Sequence, residues 1–195
     1  MELFDPELIL PGWAKDFAEE TYGTCFSGYD RMRLAIELAG LNISHKTGGP
    51  FGAAVFDRSS GRLEAIGMNL VVRSNCSHAH AEMVALAIAE HRLSSFSLFR
   101  SGNSGYELVT SSEPCAMCFG AVVWSGITSL VCGALTEDAV AAGFDEGPKP
   151  EKWVEELEKR GIEVVAGILR EEAVKVLESY TSEGGILYNA RCERD

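Results

Sequence analysis

HAHAEMVAL, residues 78–86, sets two histidines and a glutamate on alternate positions just ahead of an apolar run. The chain has four histidines in all, so this crowding asks for a reason. On an ideal helix, residues two apart point nearly opposite ways, and His78, His80 and Glu82 cannot share one mid-helix face. A metal ion would sit off the helix end instead, where His80 and the longer Glu82 can both reach around. His78 then falls in the preceding loop, either supporting the site or solvated.

The partner stretch is SSEPCAMC, residues 111–118. It ends an expected strand and opens an expected helix. Cys115 and Cys118 are three apart, which puts their side chains on one face of a first turn. Pro114 suits a helix start, where a missing N–H costs nothing. The positive end of the helix dipole favours thiolates, and thiolates bind zinc. A redox dithiol is the competing reading of C-x-x-C. The imidazole at the head of another helix favours metal. One nitrogen and two sulfurs leave a fourth position open, which is the layout of catalytic rather than structural zinc. Glu82 beside that position would accept a proton from water.

Outward from these two stretches the periodicity changes repeatedly. Residues 29–43 carry apolar side chains at helical spacing. FGAAVFD (51–57) and LEAIGMNLVV (63–72) read as strands joined by a turn at 59–61. Residues 79–93 read as a helix, YELVTSS (106–112) as a strand, CAMCFGAVVWSG (115–126) as a helix and SLVCGAL (129–135) as a strand. A helix at 150–160, a strand at 162–168 and a helix at 170–180 follow. This alternation predicts an α/β layered domain around a central mixed sheet.

Bulk composition narrows the function classes. With 195 residues, 46% hydrophobic and 24% charged, the chain fits one ordinary globular core. A formal charge of −12, with no basic cluster denser than Arg31–Arg33, opposes binding to phosphate backbones. Residues 114–136 carry no charge, but Pro114, Gly120, Gly126 and Gly133 break them into a buried helix, a turn and a buried strand rather than a membrane span. The acidic N-terminus lacks the positive region of a signal peptide, and the six cysteines have no secreted-domain pattern. The cytoplasm is the expected location.

H-x-E at 80–82 followed by P-C-x-x-C at 114–118 resembles the signature of zinc-dependent nucleobase deaminases, the cytidine deaminase superfamily. The likeness runs from about residue 30 to residue 142 and includes GGPFGAAVF. The flanks of SSEPCAMCFGAVVWSGI look like the purine branch, shared by guanine deaminases and tRNA adenosine deaminases. GFDEGPKPEKW (143–153) and the tail ILYNAR (186–191) look similar to bacterial guanine deaminases.

This resemblance implies a three-layer α/β/α fold with a five-stranded mixed sheet and one Zn2+ per subunit on His80, Cys115 and Cys118. It implies hydrolytic deamination of a free purine, guanine to xanthine. Glu82 would shuttle protons, and Glu146 would be a second carboxylate serving the departing amino group. Asn69 would hydrogen-bond the base, Phe51 and Trp124 would pack on its faces, and the Ala81 N–H would meet its edge. Residues 182–195 would close over an active site, with Tyr188 and Asn189 foremost, in a homodimer whose tails cover either their own site or, exchanged, the partner's. Residues 26–181 would be the catalytic domain and 1–25 an extension packed on it, with Trp13, Phe17 and Tyr22 as contacts. Rivals are a tRNA adenosine deaminase, a deaminase of guanosine, cytosine or ammeline, and a zinc-stabilised binding protein.

Overall fold

The structure, a computed structural model, describes residues 10–100 and 105–189. Expectations for residues 1–9 and 190–195 lie outside the described residues. Helices α1 (Gly12–Thr21) and α2 (Tyr29–Ser44) lead into strands β1 (Gly52–Asp57) and β2 (Leu63–Met68). A short helix α3 (Val71–Ser74) and the longer α4 (Ala81–Arg92) precede β3 (Tyr106–Ser112). Then come α5 (Ala116–Ser125), β4 (Ser129–Ala134), α6 (Thr136–Ala141), α7 (Trp153–Glu158), β5 (Glu163–Val165) and α8 (Arg170–Ser182). The five strands form one sheet in the order β2-β1-β3-β4-β5. β1 runs antiparallel to β2 and β3, while β3, β4 and β5 are parallel. The sheet is mixed, as expected.

Strand alternation builds two cores. Ala53 and Val55 of β1 face a cluster with Ala81, Ala85 and Ala89 of α4, Val122 of α5 and Leu157 of α7. Ala54 and Phe56 face the other way, onto Ala14 and Ala18 of α1 and Met32, Ala35 and Leu38 of α2. Neither face is left to water, which is the three-layer arrangement. The small residues matter at the closest approach. A Cβ on Gly67 would meet Ala81 O at 2.2 Å and Ala85 N at 2.5 Å, so the glycine lets the backbone of α4 lie on β2.

Two local expectations give way. NLVV does not continue β2: the strand ends at Met68, and Val71–Ser74 turn into α3. The Asn69 Oδ1 accepts from Val71 N at 3.3 Å, so a side chain competes with the ladder and starts a turn. The strand expected at 162–168 is paired only over Glu163–Val165.

The candidate metal and purine site

The C-terminal ends of β2, β3 and β4 lie with the N-terminal end of β1 at one margin of the sheet, since Met68 pairs Gly52 and Ser112 pairs Ala134. From that margin β2 leads towards α4 and β3 leads into α5. His80 is the residue just before α4 and Cys115 the residue just before α5, both with extended backbone. Cys118 lies one turn into α5. Two helix N-termini therefore bring the positive ends of their dipoles to one place.

There the His80 Nδ1 is 3.6 Å from Cys115 Sγ and 3.7 Å from Cys118 Sγ. All three candidate ligand atoms lie within 4.8 Å of one another. Zinc bonds of roughly 2.3 Å to sulfur and 2.0–2.1 Å to nitrogen, at a tetrahedral angle, put the two atoms about 3.6 Å apart. The donor set thus fits a zinc ion, and three side chains leave one tetrahedral position for another ligand.

Electrostatics point the same way. Hydrogen bonds from Cys118 and His80 hold the Cys115 thiol down to about 4, although burial opposes this. Cys118, the donor in that pair and buried, is pushed well above the usual thiol range. Burial and the Cys115 charge push Glu82 up to about 7. Burial, with the charges of Cys115 and Glu82, pushes Glu146 up to about 8. Burial works against a charge on His80, yet its hydrogen bond to Cys115 and the charge of Glu82 raise it. Without a cation, this is a cluster of acids too crowded to ionise together. A divalent ion would reverse those shifts and draw the carboxyls down.

One cavity opens over these groups, lined among others by Asn69, His80, Glu82, Cys115, Glu146 and Tyr188. Glu82 is buried in its floor. The Glu146 Oε2 is buried without a hydrogen-bond partner, a state that a ligand proton would relieve. Phe51 packs edge-on against Phe144, with ring centroids 4.8 Å apart, and Phe144 stacks on Tyr180 at 6.3 Å. These three rings form an aromatic wall.

Two expected contacts fall elsewhere. Trp124 is at the end of α5, 86% exposed, and does not line the cavity; helical phase carries it to the outer face, away from the sheet margin. Asn189 does not reach the cavity either. Its Oδ1 accepts from Asp145 N at 2.8 Å and its Nδ2 donates to Gly143 O at 3.0 Å, so it clasps the loop that carries Glu146. The Ala81 side chain is buried in the core; its backbone N–H is the first of α4. His78 is exposed, against Cys76 Sγ at 3.3 Å.

The structure also adds residues. Asn42 is fully buried and its Nδ2 donates to Gly49 O and Asn69 O, each at 2.8 Å, fixing two segments of the cavity wall. Thr47 Oγ1 donates to Asn42 Oδ1 at 2.7 Å and accepts from Trp13 Nε1 at 3.0 Å. The ring of Trp13 stacks on His45. Helix α1 thus ends a chain of hydrogen bonds that starts at the cavity. No spacing in the sequence marks Asn42; only its position in a helix that is otherwise apolar on that face could have drawn notice.

Residues 29–134 match the model of the cytidine and deoxycytidylate deaminase zinc-binding region. A guanine deaminase of Bacillus subtilis is 36% identical over 115 residues, which is 59% of this chain and 69% of that one. A tRNA-specific adenosine deaminase of Buchnera aphidicola is 30% identical over 131 residues, 67% and 79% of the two chains. Among solved structures, guanine deaminase from Nitrosomonas europaea is 45% identical with a TM-score of 0.85, covering 92% of this chain and 99% of its own. A structure in complex with 2,6-diaminopurine is 46% identical with a TM-score of 0.87, covering 96% and 98%.

Proposed function

Because this chain belongs to the cytidine and deoxycytidylate deaminase zinc-binding family, we infer that it is a zinc aminohydrolase that converts guanine and water to xanthine and ammonia. The observation that carries the reading is the open-sided set of His80, Cys115 and Cys118 facing one cavity with Glu82 and Glu146. The guanine deaminase likeness over nearly the whole chain selects the base.

Zinc held by His80, Cys115 and Cys118 supplies a Lewis acid that eases loss of a proton from water near neutral pH. Glu82, buried beside that position, takes the proton and delivers it to the ring nitrogen next to the carbon under attack. Water oxygen adds at the carbon bearing the amino group, the carbon–nitrogen bond breaks, and the nitrogen leaves as ammonia after gaining a proton. Glu146 carries that second proton. Asn69 holds the base edge, the Ala81 N–H adds a donor at the helix end, and Phe51 flanks the ring plane. Tyr188 covers the site while Asn189 keeps the tail on the Glu146 loop, which excludes water and strengthens every charge inside.

Residues 26–181 then serve as the catalytic domain, 1–25 as an extension that braces it through Trp13, and 182–195 as the cover. The exposed Trp124 and Met117 on one face of α5 support a homodimer through that face. Thiolate ligands stay reduced in the cytoplasm, the location we assign. No helix among the described residues is long and apolar enough to cross a membrane.

The second reading, deamination of tRNA, is favoured by the adenosine deaminase relatives. It meets a net charge of −12 and a tail lying over the cavity. Ammonia release from guanine, guanosine, adenine, cytosine, cytidine and ammeline by zinc-loaded protein tests the reading. Guanine is expected to lead; turnover of tRNA with a salt-sensitive gel shift, and none of guanine, would replace it.

A further inference from the structure

Glu146 sits on the connection between α6 and α7, residues 142–152, which forms neither helix nor strand. A loop of that kind does not hold a side chain in place by itself, so its anchors decide where the carboxyl stands. On one side it has the clasp of Asn189. On the other it has Lys149, whose side chain is only 7% exposed. The Lys149 Nζ donates to Pro114 O at 3.0 Å and to Thr136 Oγ1 at 2.6 Å, and lies 3.5 Å from Glu113 Oε2. It also sits over the ring of Trp153, 4.4 Å from its centroid.

Each partner belongs to the catalytic corner. Glu113 and Pro114 immediately precede the ligand Cys115. Glu113 Oε2 accepts from Thr136 N at 3.0 Å and from Thr136 Oγ1 at 2.6 Å, so the carboxylate is itself fixed. Between the two anchors, Ala116 N donates to Glu146 O at 2.8 Å. A buried ammonium is costly, and an apolar side chain could cover Trp153 without that cost. A buried ion pair is best explained by the register it imposes. Here that register is the loop against the helix that bears two metal ligands.

We propose that Lys149 is a positioning residue for the reaction: it pins the loop to Pro114 and Glu113 and so holds the Glu146 carboxyl over the same cavity as Glu82. This rests on the reading of Glu146 as the second proton carrier. Lys149 is not among the residues lining the cavity, so the positioning role requires that its effect on turnover pass through Glu146.

A double-mutant cycle reads that path. Lys149→Met, Thr136→Val and Glu146→Gln are made singly, and the first two are each combined with the third, in the zinc-loaded full chain with guanine as substrate. Lys149→Met is expected to keep one zinc per chain and its KM within a few-fold, while kcat falls roughly 10²-fold, the scale of an ångström's misplacement. Thr136→Val, which keeps the shape but removes both the acceptor for Lys149 and the hydroxyl donor to Glu113, should show a smaller fall of the same kind. Neither should lower kcat further in the Glu146→Gln background. Wild-type kcat in the single variants, or a loss that persists undiminished beside Glu146→Gln, overturns the proposal. If Lys149→Met fails to bind zinc, the Thr136→Val pair decides by the same criteria. Glu146→Gln alone reads the underlying assignment: unchanged kcat there removes Glu146 from the chemistry, whatever the lysine does.

Discussion

Glu82 shows how one residue divides binding from chemistry. It is buried and is not one of the three candidate metal ligands, yet it lines the same cavity as His80 and Cys115. Glu82→Gln is expected to retain one zinc per chain, measured by elemental analysis, while kcat falls by roughly 10²–10⁴, the range of general acid–base catalysis. Asp57 is a purely structural carboxylate at the other end of the sheet. Burial works to raise it, but hydrogen bonds from the side chains and backbone of Ser59 and Ser60 outweigh that and lower it below its usual 3.8. A depressed carboxyl contributes stability above its unfolded value and loses it as pH falls through the folded one. Asp57→Ala should therefore cost about 1–3 kcal/mol near neutrality, and the gap in denaturation midpoint should narrow as pH falls through the depressed folded value. At this scale the sequence announces ligands and hides supports. His80, Glu82, Cys115 and Cys118 stand in a recognisable spacing. Asn42 reaches Asn69 across 27 residues of chain and Lys149 reaches Pro114 across 35, and nothing local marks a side chain whose partners come from elsewhere.

Elements place those residues, and Gly67 is the test. Gly67→Ala would drive a methyl into the backbone of α4 beside His80. The strain should cost about 1–3 kcal/mol and weaken zinc retention against a competing chelator, with guanine turnover falling in step. An unchanged melting temperature and zinc affinity would show that α4 can shift freely. The regular elements were legible because their faces are uniform: β3 matches YELVTSS to the residue, and α5 stops where the Ser-Gly pair ends it, with Gly126 in the left-handed region. α1, α3 and α6 escaped the reading. α3 and α6 are four and six residues long, too short for a periodic pattern, and at the start of α3 the Asn69 side chain accepts from Val71 N. The trajectory of the tail was likewise hidden, since Tyr180 OH donating to Ile186 O and the Asn189 clasp form only once the fold brings them together.

For the whole molecule the metal is a staple between two halves of the sheet. His80 follows β2 and the two cysteines follow β3, so ion binding favours only the folded arrangement. Stripping zinc with a chelator is expected to lower the melting temperature by several degrees and abolish turnover, and one equivalent of zinc should restore both. Recovery of stability with no recovery of activity would separate the staple from the catalyst.

The candidate metal ligands and one part of the cavity wall come from different lengths of chain. His80, Cys115 and Cys118 lie inside the stretch that matches the family, which ends at residue 134. Phe144, Tyr180, Ile186 and Tyr188 of the cavity wall all come after it. That part of the wall can thus be re-cut by mutation for a different heterocycle while the ligand set stays as it is, provided that Glu146, which lies in the same stretch, is kept. Relatives named for guanine, adenosine in tRNA and cytosine are what such a division of labour would leave behind.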